Sequence, residues 1–322
     1  MNIGTAWKPT PNDDLDPPLL AGVELGGTKI IFTLGTGPDA IIESDRISTS
    51  EAEPTLIAIE DILDRWLQSH PSIAAIGLAS FGPLELDPAA PDYGSITRTT
   101  KPGWSNTDIA CRIRGRYKLP LAIDTDVNGA ALAEGRWGAA RGLRSWAYIT
   151  IGTGVGAGIV VDKSPVRGLG HSEAGHMIVR RAPDDGFAGI CPFHGDCIEG
   201  LVSGPAIAAR AGVKGEHIPD DDPLWASVSA TIAGLIHNLA MTTAPERIIL
   251  GGGVIERRPS LFSPIRQAVV NSLAAYAHTP AIAQNIDTFI VPPALGEMAG
   301  PLGALALASD AASARPLAVE PE

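Results

Sequence analysis

Residues 146–162 read WAYITIGTGVGAGIVVD: an apolar run, a turn carrying Gly152 and Gly154, and a second apolar run. Apolar segments rich in Ile, Val, Thr and Tyr on either side of clustered glycines specify two antiparallel strands joined by a tight turn. The pattern has a twin near the start of the chain, where residues 19–35 read LLAGVELGGTKIIFTLG and turn at Gly26 and Gly27. Outward from this first hairpin, Leu56, Ile59, Ile62, Leu63 and Trp66 recur at helical spacing and predict a helix over about 54–69. A strand in IAAIGLAS (73–80), a loop holding TTKPGWSN (99–106), a strand in LPLAIDTD (119–126) and a helix from near Val127 follow. Outward from the second hairpin come a helix over Leu224 to Thr242, a strand in RIILGGG (247–253) and further helices. Two hairpins, each opening an alternation of helices and strands, indicate a duplicated α/β chain of two lobes around a cleft, where ligands bind in such sheets. The expected division is a loose tail rich in proline and acid over residues 1–18, an N-terminal lobe over 19–125, and a larger C-terminal lobe over 126–322 with an insert at about 171–200.

Composition narrows the function classes. The 322 residues are 45% hydrophobic but only 5% aromatic and include 36 glycines, which suits aliphatic cores between sheets and helices with glycine left for turns. A formal net charge of −12 supplies no field to draw nucleic-acid phosphates, and no dense Lys/Arg run supplies a local one, so no nucleic-acid partner is expected. No uninterrupted apolar run approaches the ~18 residues of a membrane span. The residues before Ala21 lack the basic start and apolar centre of a signal peptide, and three cysteines make no fully paired disulfide framework. The expectation is a cytoplasmic protein with no membrane partner.

Three glycine turns stand at predicted strand ends: Gly26, Gly27, Thr28 and Lys29 in ELGGTK; Gly152, Thr153 and Gly154 in GTGVGAG; and Gly251, Gly252 and Gly253 in GGGV. Glycine lets the backbone approach a polyphosphate and aim successive N–H groups at it. A tight hairpin also wants glycine, so one such turn alone decides nothing. One per lobe plus one late in the chain point to a nucleotide held between two hairpins. None fits the Walker spacing, and GTGVGAG runs into a strand where a dinucleotide fingerprint would run into a helix.

IDTDVNGAALAEG places Asp124, Asp126 and Asn128 where a strand passes into a helix. Asp126 there has two readings, a helix cap or a carboxylate at the floor of the cleft. In the second reading it takes the proton of a sugar hydroxyl as the oxygen attacks a γ-phosphate, while Asp124 and Asn128 hold neighbouring hydroxyls. Phosphoryl transfer relies on positioning and charge neutralisation, with a base orienting the nucleophile.

His176, Cys191, His194 and Cys197 follow the spacing His-x14-Cys-x2-His-x2-Cys in a chain with only three cysteines and seven histidines. Two thiolates and two imidazoles satisfy a closed tetrahedral zinc site of the structural kind. His176 is expected to arrive from a preceding strand, with His171, five residues earlier, outside the ligand set. RRAPDDGFAG between the ligands is too polar for a core, so the metal is expected to hold it in place. Cys111 is assigned a plain structural role. The glycine turns are farther along the chain, and ATP binding is expected to suffer less than sugar binding from loss of zinc.

Taken in order, ELGGTK, GLASFGPL, TKPGW, DTDVNGAALAEGRWGAA, TIGTGVGAGIV, GHSEAGH, CPFHGDCIEGLVSGPAI and ILGGGV resemble the ROK family of sugar kinases, repressors and open reading frames, from about residue 20 to 305. The DTDVNGAA and KPGW elements are most similar to its bacterial ATP-dependent fructokinases. The resemblance implies the actin/hexokinase-like (ribonuclease H-like) fold, Asp126 as catalytic base, ATP and magnesium as reactants, and a homodimer. It also implies sugar contacts from Glu173, His176 and Glu199, with Lys101 of TKPGW at the substrate. The family's first phosphate loop commonly begins with Asp; this chain has Glu24, to which no magnesium contact is carried over. Fructose is the expected hexose, and glucose, mannose and N-acetylmannosamine are the alternatives. A sugar-sensing regulator is the reading from a different class. The repressor branch carries a DNA-binding helix-turn-helix, which 18 loose residues do not provide.

Overall fold

A computed structural model describes residues 17–181 and 185–314, so the expected tail falls almost wholly outside the described residues. The first half of the chain contains β1 (Leu20–Leu25), β2 (Lys29–Gly35), β3 (Ile41–Ser48), α1 (Ala52–Ser69), β4 (Ala75–Ser80), β5 (Ser95–Ile96), β6 (Thr107–Asp108), α2 (Ala110–Tyr117), β7 (Leu121–Thr125) and α3 (Asp126–Trp137). The second contains β8 (Trp146–Ile151), β9 (Val155–Val161), β10 (Ser164–Pro165), α4 (Ile198–Val202), α5 (Gly204–Ala211), α6 (Leu224–Thr242), β11 (Arg247–Gly251), α7 (Gly253–Glu256), α8 (Phe262–Leu273), α9 (Thr279–Gln284), α10 (Ile286–Phe289), β12 (Ile290–Val291) and α11 (Ala299–Ser313).

Both expected hairpins form, and each founds a five-stranded sheet of one topology. The first runs β3-β2-β1-β4-β7 and the second β10-β9-β8-β11-β12. In each, the glycine hairpin is antiparallel (β1 with β2, β8 with β9), the outer strand β3 or β10 continues it antiparallel, and the strands on the other side are parallel. The parallel strands are apolar throughout because both faces are covered: all six residues of β4 are buried. Leu56, Ile59, Leu63 and Trp66 of α1 close one face of the first sheet, with the Trp66 ring edge-on to Phe32 at 6.1 Å. Each such fully buried side chain contributes about 1.5–3 kcal/mol.

The two sheets share a central layer. α3 contacts β8 and β9 of the second sheet and α11, which in turn lies across β1, β4 and β7 of the first. Leu20 and Ala75 form one buried cluster with Leu302, Leu305 and Ala308. A lobe defined as residues 126–322 therefore misplaces α11: the chain returns at its end to cover the first sheet, which no local pattern signals. Helix α6 has a mean hydropathy of 1.3 across a span long enough to cross a membrane, yet 61% of that span is buried, and Val228, Ile232, Leu235, Ile236 and Leu239 belong to the second core.

Candidate active site

β7 delivers Thr125 and α3 begins at Asp126, so the strand-to-helix junction lies where the two sheets meet. The Thr125 hydroxyl accepts the Asn128 N–H at 3.2 Å and is the N-cap of α3. Asp126 is thereby released from the capping role. Its half-buried carboxylate takes the adjacent Val127 N–H at 2.8 Å. Burial is the main cause that raises the Asp126 pKa to about 6, opposed by the Val127 and Asp126 N–H groups and by His171, and assisted by Glu173. A carboxylate tuned to that range is ionised at neutral pH and basic enough to receive a proton.

Asp124 and Asn128 come together beside it. Fully buried Asp124 accepts from Asn128 Nδ2 at 2.8 Å and from the Thr125 N–H at 2.7 Å, and its second oxygen pairs with Arg167 of the second half. Glu24, at the end of β1, turns its carboxyl toward Gly300 in the first turn of α11 and buries Oε2 without a partner. Desolvation and the nearby Asp126 push it up to about 7, against the pull of Lys29.

The glycine turns bound the cleft. In the first, Gly27, Thr28 and Lys29 are exposed, and Thr49 Oγ1 donates to Gly26 O at 2.7 Å. Lys101, expected at the substrate, instead donates to Gly27 O at 2.6 Å and so lies on this turn. The second and third turns adjoin because β8 pairs with β11. Gly252 sits at φ +88°, and a Cβ there would come within 2.5 Å of Ile151 N, so only glycine lets these two turns pack. The Gly204 N–H, first in α5, donates to Gly152 O at 2.7 Å.

Glu199 and Glu173 part company. Glu199 accepts the Val155 N–H at 3.0 Å and lies so near Gly154 that a Cβ there would be 2.7 Å from its Oε2. The insert and the second glycine turn, apart along the chain, therefore adjoin in space: Glu199 follows Cys197 by two residues and touches the turn. Glu173 is exposed, approached by His171 Nδ1 at 3.6 Å.

His176, Cys191, His194 and Cys197 converge, with one ligand atom from each lying within 4.8 Å of the others. His176 comes from a 3-10 turn, Ala174–His176, in place of the expected strand. Its Nδ1 is 3.7 Å from Cys191 Sγ and 3.5 Å from Cys197 Sγ, and burial is the main cause that lifts the Cys197 thiol to about 11. The insert does not depend on metal alone, as its polar sequence suggested. Arg181 bridges Asp185 and Asp196, Arg210 of α5 meets Asp185 at 2.8 Å, and Phe187 packs on the second core. Cys111 lies on exposed α2 surface away from this cluster. Arg167 escaped the sequence reading because PVRGLG carries no motif; its role is visible only through its distant partner.

The ROK family profile matches residues 20–311. The chain belongs to the ROK family. It is 41% identical over 295 residues to the fructokinase of Pediococcus pentosaceus, covering 91% of this chain and 98% of that one. Over 297 residues it is 40% identical to the fructokinase of Zymomonas mobilis subsp. mobilis, covering 91% and 97%. The solved ROK hexokinase from Thermus thermophilus shares the fold at a TM-score of 0.72 and 25% identity, over 90% of this chain and 97% of that chain. The two-lobe actin-like architecture is thus that of ROK sugar kinases.

Proposed function

We propose that this ROK protein transfers the γ-phosphoryl group of ATP to D-fructose, giving fructose 6-phosphate. The observation that carries the reading is Asp126, a carboxylate not consumed as the helix cap, at the start of a helix packed against both sheets. The 40–41% identity to named fructokinases along nine-tenths of the chain supports fructose as the hexose.

In this reading the sugar 6-hydroxyl gives its proton to Asp126 as its oxygen forms the new bond to phosphorus. The bond from that phosphorus to the β–γ bridging oxygen breaks, and ADP leaves. Asn128, oriented by Asp124, and the carboxylates of Glu173 and Glu199 hold the other hydroxyls. His176 meets the sulfurs through Nδ1, which leaves Nε2 for the sugar. Gly26 to Lys29, Gly152 to Gly154 and Gly251 to Gly253 line the nucleotide, with Lys101 beside the first turn.

Zinc fits the four-residue cluster: two thiols and two imidazoles within 4.8 Å fill all four positions and leave none for an activated water. Magnesium entering with the triphosphate would neutralise charge on the β- and γ-phosphates, and Glu24, with an unpartnered buried oxygen, is the side chain that fits it. Residues 19–125 and 126–298 are the two lobes, with α11 added to the first. The exposed Ile178, Ile190 and Phe193 on the insert support a homodimer, and the reading places the protein in the cytoplasm.

The deciding experiment couples ADP release to a hexose panel with and without magnesium. Fructose should give the highest kcat/KM, and chelation should abolish turnover. ADP formation with none of fructose, glucose, mannose or N-acetylmannosamine would overturn the proposal.

A further inference from the structure

Between β10 and the turn that carries Glu173, residues 167–171 form a small hairpin just beyond the second sheet, closed by an isolated antiparallel bridge between Arg167 and His171. Both side chains that flank its glycine-rich tip reach out of their own lobe. Arg167 pairs with Asp124 at the end of β7, a carboxylate with no exposed surface. His171, whose side chain is 6% exposed, accepts the N–H of Leu84 at 3.0 Å through Nε2. Leu84 belongs to the loop after β4 and pairs there with Ile96. Gly82 of the same loop lies so close that a Cβ would stand 3.5 Å from the imidazole.

We infer that this hairpin is a clasp across the cleft, with His171 as a positioning residue that sets the walls of the hexose pocket around Asp126. The inference rests on the hexose-kinase reading of that pocket. Chemistry fixes the sense of the contact. The Leu84 N–H is a donor, so the nitrogen facing it carries the lone pair and the ring proton sits on Nδ1. Nδ1 faces Ser172 O at 3.3 Å and the Glu173 carboxylate at 3.6 Å. The imidazole therefore holds the first lobe's loop with one nitrogen and, with the other, the carbonyl of Ser172, the residue before Glu173. Arg167 does the same for Asp124, and through it for Asn128. The hairpin thus joins Asp124 of the first lobe to the turn that carries Glu173 in the second, both expected sugar contacts, and none of its hydrogen bonds goes to the three glycine turns.

A clasp of this kind makes a different prediction from a packing residue. His171→Leu fills similar space but leaves the Leu84 N–H without an acceptor, an unmet buried donor that translates to about a tenfold rise in hexose KM. KM for ATP should move less than about twofold. His171→Gln carries an acceptor oxygen at nearly the reach of Nε2 and should restore hexose KM to within about threefold of wild type. Amide exchange supplies a readout that needs no turnover: in wild type the Leu84 amide should be protected relative to its loop neighbours, and fructose should slow it further. His171→Leu should lose that protection and His171→Gln keep it.

An unprotected Leu84 amide in the wild type overturns the inference, whatever the variants do. So does a His171→Leu enzyme with unchanged hexose KM, or one in which Leu and Gln lower the melting temperature alike without separating the two KM values. If no hexose is phosphorylated at all, the kinase reading fails on its own, and the exchange measurement still decides whether the clasp exists.

Discussion

At the scale of single residues, the cap of α3 separates structure from chemistry. Thr125 caps the helix, and Asp126, one residue on, keeps its carboxylate with a pKa raised to about 6 by burial. Asp126→Asn should therefore lower kcat by ~10²–10⁴, the span for loss of a general base, while hexose binding persists. Stability should move the other way. A folded-state pKa near 6 against the ordinary 3.8 means that the group's stabilising contribution is complete below about 3.8 and lost as pH rises through 6. At pH 8 the wild type thus bears the cost of a desolvated charge and the Asn variant does not, a gain of up to about 3 kcal/mol. Melting curves at pH 8 and pH 4 test this: the variant should melt higher at pH 8, and the gap should close at pH 4. An inactive variant that also melts lower at pH 8 would return Asp126 to a structural role. DTDVN made this carboxylate legible because its neighbours in sequence are its neighbours in space. Arg167 and the orphaned oxygen of Glu24 were not legible, since their meaning comes from Asp124 and Gly300, both far away in the chain.

Among elements, the insert and the α3–α11 pair show what periodicity can and cannot reveal. The convergence of His176, Cys191, His194 and Cys197 agrees with their spacing, but the ion pairs of Arg181, Asp185, Asp196 and Arg210 carry no sequence pattern, and Arg210 lies on α5. Cys191→Ser or Cys197→Ser should abolish stoichiometric zinc by elemental analysis and lower the melting temperature. The ion pairs should nonetheless keep the chain folded. Full zinc content in both variants would sink the ligand assignment. The helix pair is held by small residues: Gly303 of α11 sits directly on the backbone of Gly129 in α3, leaving no space for a side chain. Gly303→Val should force the helices apart at a cost of about 1–3 kcal/mol. Because α3 begins at Asp126, kcat should fall as well. Urea denaturation and turnover of the same preparation check both, and an undisturbed midpoint would show that the two helices are free to slide.

Across the whole molecule, the duplicated hairpin-and-parallel-strand topology was legible because strand periodicity and glycine turns are local, whereas the return of α11 to the first sheet was not, because an apolar helix gives no address. The same gap between chain distance and spatial distance bears on how the two substrates communicate. The sequence sets the Cys/His cluster and the glycine turns apart, yet Glu199 follows Cys197 by two residues and accepts the Val155 N–H at 3.0 Å, against Gly154. Farther along, α5 begins with the Gly204 N–H on Gly152 O at 2.7 Å. One short segment from Cys197 to Gly204 therefore carries a proposed metal ligand, a proposed sugar contact and two supports of the glycine turn at Gly152 to Gly154. Anything that orders this segment for the hexose also orders the turn for the nucleotide, and linkage requires the effect to be reciprocal. Fructose should tighten binding of a non-hydrolysable ATP analogue by about 5–150-fold, the usual range of coupling between sites, and the analogue should tighten fructose by the same factor. Glu199→Gln exchanges a carboxylate for an amide that holds Val155 more weakly, so calorimetry on this variant should show the coupling shrinking toward unity while each ligand still binds alone. Equal coupling in wild type and variant would mean that the lobes communicate by another route.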